Sequence, residues 1–123
     1  MQVKIDTREK FHVITIQEPH IAANMTEQMD KVLLTLLDDN VKNVIINIQD
    51  TKIIDIAAAE HLVELQHKFY DVNASFVVCG LQPELKKMLS NADILDLLNY
   101  TPTESEAMDI VQMEEIEREL GEI

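Results

Sequence analysis

The chain has 123 residues with 46% hydrophobic side chains, enough for one core, and 23 Asp and Glu against 10 Lys and Arg, a formal charge of −13. That acidity excludes phosphate-backbone binding, because no basic stripe is present to capture a polyanion. Cys79 is the one cysteine, which excludes an internal disulfide and a thiolate zinc cluster.

Residues 2–7 alternate weakly and "FHVITI" (11–16) alternates clearly, which predicts a short antiparallel pair turning near "TREK". "EPHIAAN" reads as a loop, with Pro19 discouraging further pairing. From Met25 to Asp39, the residues Met25, Met29, Val32, Leu33, Leu36 and Leu37 recur at helical spacing, with Asn24 as the expected cap and Glu27 three residues on. "NVIINI" (43–48) is a continuous β-branched run, the pattern of a strand covered on both faces. A strand-to-helix junction follows at Asp55, and Ala58, Leu62, Leu65 and Phe69 then mark the inner stripe of a second helix. "ASFVVCG" (74–80) is a further buried strand, expected beside and parallel to the first. Pro83 opens a third helix with Leu85, Met88 and Leu89 inward. A short strand near 97–101 and a final helix from about Thr103 complete one domain, placed at 1–111.

The segment 112–123 is less routine. Ala107, Ile110 and Val111 define an inner face, but Met113, Ile116 and Leu120 recur on nearly the opposite one, among Glu114, Glu115, Glu117 and Glu119. Either the helix ends near Gln112 and an acidic tail follows, or it continues and presents a second apolar stripe outward. That stripe would suit a homodimer.

In this order and spacing the elements resemble the STAS domain of anti-sigma-factor antagonists over roughly residues 2–111. "VIINIQDTKIID" (44–55) resembles that family's buried strand, polar loop and junction aspartate, and "ASFVVCGLQPELKKMLSNADILDLL" (74–98) its next strand and proline-led helix. The resemblance implies an α/β fold with a mixed sheet of four to five strands and about four helices, packed mainly on one face. It also implies a non-enzymatic interaction module whose partner is a serine-kinase-like anti-sigma factor in a bacterial transcription circuit. The family pattern at the junction reads Asp-Ser-Ser-Gly-Leu, the first serine being the phosphoacceptor, whereas this chain reads Asp55, Ile56, Ala57, Ala58, Ala59. Only the aspartate carries over. An alkyl side chain accepts no phosphate, so Ile56 and Ala57 remove the usual switch. Asp55 is expected to cap the second helix. Ile56, roughly 200° of helix rotation from Ala58, is expected to be at least partly exposed. The docking patch implied by the family comprises Asp55, Ile56, Ala57, Glu60 and His61. Phosphorylation at Thr51 or Ser90 would mean that the switch had moved. The alternative is a regulatory or assembly subunit of a transporter or signalling complex.

Other candidates carry less. His61, Glu64 and His67 step by three, not by the four that a helical metal site wants, and read as a solvated polar face; no metal or cofactor is expected. His12 and His20 show no partner in the sequence. Cys79, inside an apolar run, reads as a small buried hydrophobe. With Gly80 and Gly121 the only glycines, no phosphate-cradling loop is possible. "MQVKIDTREKF" lacks signal-peptide character and no apolar run approaches membrane-spanning length, so a cytoplasmic home without membrane insertion is expected.

Overall fold

The computed structural model describes residues 1–121. The last two positions of the 112–123 segment therefore lie outside the described residues. Strands β1 (Val3–Thr7) and β2 (Phe11–Ile16) form the expected antiparallel hairpin. β4 (Asn43–Asn47) lies parallel to both β2 and β6 (Phe76–Cys79), and β7 (Tyr100–Thr101) closes a five-stranded sheet in the order β1-β2-β4-β6-β7. The two buried runs of the sequence are neighbours and parallel, as expected. Two strands that the sequence did not suggest, β3 (His20–Ile21) and β5 (Ile53–Ile54), pair in parallel as a separate ribbon.

β4 and β6 are buried along their whole length because helices cover both faces of the sheet. On one face Ile14, Ile16, Val44, Ile46, Phe76 and Val78 meet α1 (Thr26–Leu33), α2 (Ile56–Asp71) and α3 (Pro83–Asn91). The expected α2 stripe of Ala58, Leu62, Leu65 and Phe69 is fully buried there, with Phe69 edge-on to Phe76 at a ring separation of 5.4 Å. On the other face Phe11, Val13, Ile45, Val77 and Cys79 pack under Ala107 and Val111 of α4 (Glu104–Gly121). Three of the four helices thus share one face.

The helix expected over 25–39 is shorter than its periodicity suggested. A 3-10 turn (Ala23–Met25) precedes α1, and a 3-10 segment (Leu34–Asp38) follows it. The Thr35 hydroxyl donates to the Lys31 carbonyl, a back-bond that disturbs the α-helical ladder, while Leu34, Leu36 and Leu37 still pack against the core. Asn24 makes no capping bond at either start.

α4 continues through the segment where its end was in question. Its later turns are held by polar contacts: Tyr70 donates to Glu114 at 2.8 Å, Asn43 donates to Glu115 at 2.9 Å, and Arg118 donates to Ser75 Oγ at 2.9 Å. Burial first, and Glu114 second, push the Tyr70 phenol up to about 12. Met113, Ile116 and Leu120 stay outward and exposed.

Gly80 ends β6 at φ +79°, where a Cβ would sit 2.7 Å from Asn47 Oδ1 and 3.1 Å from the Gln49 amide nitrogen. Gly80→Ala combines that clash with a left-handed backbone, and is expected to cost about 1–3 kcal/mol in urea unfolding. A loss within experimental error would mean that the Asn47–Gln49 turn yields freely.

Candidate functional site

The junction is built from two loops sewn together. The Pro19 carbonyl accepts from the Lys52 and Ile53 amides at 2.8 and 3.1 Å, and the Ile21 carbonyl accepts from the Asp55 amide at 2.9 Å. Beneath them the Thr51 hydroxyl donates to the Glu18 carbonyl at 2.8 Å. Thr51 is fully buried, so it is a structural hydroxyl and is closed to a kinase in the folded protein. Ser90, near the end of α3, is exposed.

Asp55 occupies the position before α2 but does not cap it. Its carboxylate turns away, accepting from the Ala23 amide at 2.9 Å and meeting His20 Nε2 at 2.7 Å. Ala23 is the first residue of the 3-10 turn leading into α1, so one side chain at the head of α2 satisfies an amide at the head of the other helix. The expected cap is corrected on that ground: the β3–β5 pairing brings the Ala23 amide into reach, and an ionised carboxylate favours that amide and the His20 ring over a bond within its own turn. The histidine bond first, and the Ala23 amide second, hold the Asp55 carboxyl below the usual carboxylate range.

Around this fixed aspartate the exposed side chains are mixed: His20 and Lys52 are polar, whereas Ile53, Ile56 and Ala57 are apolar. Ile56 is 45% exposed, as its rotation from the buried stripe required, and Ala57 is exposed beside it, while Ala58 and Ala59 fill the core. Ile53, which the sequence reading passed over, is 57% exposed two residues before Asp55. Glu60 lies one turn beyond Ile56, so the two share a face of α2. A shallow groove of about 330 Å³ continues along that helix between Glu60, Val63, Glu64, His67, Ile94 and Leu97. His61 is turned inward instead: its Nε2 meets Asp30 of α1 at 2.6 Å and its Nδ1 meets Glu64 at 3.3 Å. Asp30 had no signal in the sequence, because helical spacing within α2 says nothing about α1.

The remaining candidates have structural roles. His12 is buried, bonded to the Thr7 hydroxyl and the Val41 carbonyl at 2.8 Å each. Burial, with Glu104 nearby, raises the Cys79 thiol to about 12, which keeps it protonated and inert. Among the described residues no cluster of three His, Cys, Asp or Glu could hold a metal ion, and no helix is long and apolar enough to cross a membrane. A larger cleft, about 460 Å³, lies on the α4 face between Lys4, Asp6, Asn47, Gln49 and Glu104, outside the junction.

Because the folded state depresses the Asp55 pKa, its carboxylate stabilises the fold above the ordinary carboxylate pKa. That contribution fades as pH falls through the lowered value. The melting-temperature gap between wild type and Asp55→Asn is therefore expected to be full near neutrality and to narrow in acid. A gap unchanged down to strongly acidic pH would contradict the assignment.

The STAS domain family model matches residues 2–107. No curated protein sequence matches the chain. An anti-sigma factor antagonist from Mycobacterium paratuberculosis has a similar structure, with TM-score 0.76, 12% identity, and coverage of 90% of this chain and 93% of that one. An anti-sigma-factor antagonist (STAS) domain protein from Planctomyces limnophilus gives 0.72 at 16% identity, covering 89% and 97%. A sulfate transporter family protein from Wolinella succinogenes gives 0.72 at 14% identity, covering 89% and 90%. At such identities the likeness concerns the fold, and it is the family match across residues 2–107 that makes this chain a member of the STAS domain family.

Proposed function

We propose that this chain is a non-enzymatic protein-interaction module working in the cytoplasm, and that it docks a kinase-like anti-sigma factor through the head of α2 without phosphate control at that site. The observation that carries the reading is the exposed, hydroxyl-free surface at the junction, with Ile56 and Ala57 standing where the family pattern has serines. Ile56 supplies the apolar contact, Ala57 a close approach and Glu60 a charged rim. Asp55 keeps the loop in place through His20 and Ala23, and His61 braces α2 against α1. With no hydroxyl to modify, a partner that binds this surface finds one state of it. The formal charge of −13 favours a partner with a basic docking face and speeds their encounter.

A second reading, a regulatory or assembly subunit of a transporter or signalling complex, is favoured by one observation: the fold likeness to the Wolinella transporter-family protein. The same surface would serve it.

The test is affinity capture from the native cell with wild type and Ile56→Asp side by side. A buried contact must desolvate the new carboxylate, so partner binding is expected to fall about tenfold or more while the melt shifts by no more than a few degrees. A kinase-like protein in the wild-type eluate supports the leading reading, and a membrane transporter supports the second. Unchanged binding by the variant would move the surface elsewhere, and a collapsed melt would make Ile56 a folding residue. In a separate assay, the captured kinase-like partner and ATP are expected to add no phosphate to residues 55–59 by intact-mass and fragment analysis. A phosphate on Ser90 would show that control had moved to α3.

A further inference from the structure

The sheet has one long free edge. β7 at one end has two residues, whereas β1 at the other has five, paired to β2 without a bulge from Val3↔Ile16 to Thr7↔His12. The Gln17 amide donates to the Gln2 carbonyl at 2.9 Å and the Arg8 amide to the Phe11 carbonyl at 2.8 Å, which marks the even-numbered residues of this strand as those bonded to β2. By antiparallel alternation, Val3, Ile5 and Thr7 point their main-chain N–H and C=O groups outward from the sheet. Such an edge is ordinarily blunted by proline, a bulge or unpaired charge. β1 has neither proline nor bulge, and its charges follow a particular pattern.

We infer that β1 is a self-complementary edge that joins a second copy of this chain in antiparallel register about Ile5. With Ile5 facing Ile5 of the second copy, Val3 faces Thr7 and Lys4 faces Asp6. The residues that would exchange main-chain bonds, Val3, Ile5 and Thr7, are the ones whose outward groups are unused by β2. Lys4 and Asp6 then fall at the positions between those bonds, where facing side chains approach most closely, and each lysine meets a carboxylate. The pattern places both ion pairs on the α4 face of the sheet, since Lys4 and Asp6 lie opposite Thr15 and Val13 of β2. Ile5, 46% exposed and opposite the buried Ile14, would be covered on the other face.

Local charge permits this approach although the whole chain carries −13. In residues 1–10, Lys4, Arg8 and Lys10 outnumber Asp6 and Glu9. The α4 stripe of Met113, Ile116 and Leu120 suits a second copy less: it is flanked by Asp109, Glu117 and Glu119, and Arg118 is engaged by Glu115 and Ser75, so two copies would bring like charges together.

Sedimentation over a concentration series tests the register. Wild type is expected to dimerise reversibly. Ile5→Pro removes an outward N–H and the isoleucine side chain while sparing the main-chain groups bonded to β2, and is expected to give a folded monomer. Lys4→Asp alone and Asp6→Lys alone each set like charges face to face, and each is expected to weaken the dimer about tenfold or more. Mixed in equal amounts, those two variants pair every charge again and are expected to recover a heterodimer. A wild type that stays monomeric would overturn the inference. So would a dimer that survives Ile5→Pro, single reversals without effect, or a dimer dissolved by Ile116→Glu in place of the edge variants.

Discussion

Strand β4 is the constraint on which the other elements depend. All five of its residues are buried, so both faces of the sheet must be covered and every polar group on the strand must find a partner inside the protein. Its two asparagines do this at the ends. Asn43 accepts from the Ser75 amide at 2.7 Å and donates to the Lys10 carbonyl and to Glu115 at 2.9 Å each. Asn47 accepts from the Gln49 amide at 3.0 Å and donates to Glu104 at 3.1 Å. Glu104 and Glu115 belong to α4, so the buried strand fixes both the start and the later turns of the helix that covers its outer face. No buried side-chain nitrogen or oxygen among the described residues lacks a partner. A polar network satisfied at every member specifies one helix position, where apolar packing alone would tolerate sliding.

The junction repeats that logic near the surface. Main-chain pairing between β3 and β5 joins the loop before α1 to the loop before α2, and the Asp55 carboxylate closes the seam. What remains outward in the first turn of α2 is apolar, Ile56 and Ala57. A family member lacking the hydroxyl keeps the geometry, because the geometry comes from Asp55, Thr51 and the ribbon, none of which requires the side chain at position 56. The proposed docking role and the absence of a hydroxyl at position 56 are therefore compatible in one fold.

The long-period features were legible in the residues themselves. "NVIINI" and "FVVC" are apolar without alternation, which only a strand covered on both sides explains, and the Ala58–Phe69 stripe matched its buried face. The place of Asp55 at the strand-to-helix junction was also legible. The direction of the Asp55 side chain was not. Helix-start rules weigh the local amides of α2, whereas the partners that the Asp55 carboxylate took were His20 and the Ala23 amide, more than thirty positions earlier. The β3–β5 ribbon was invisible for a related reason: two-residue strands have no periodicity to read. His61 looked solvated because its partner, Asp30, sits on another helix. In each case the missing information was a contact between residues far apart in the sequence.

The junction is a fixed surface in the free protein, held by the pairing of its two loops. Amide hydrogen exchange on the free protein tests this most directly. The amides of Ala23, Ile53 and Asp55 are each bonded across the two loops, so slow exchange is expected for all three, cooperatively with one another. Exchange at those amides as fast as at Glu9, in the exposed β1–β2 turn, would show that the loops part readily and would contradict it.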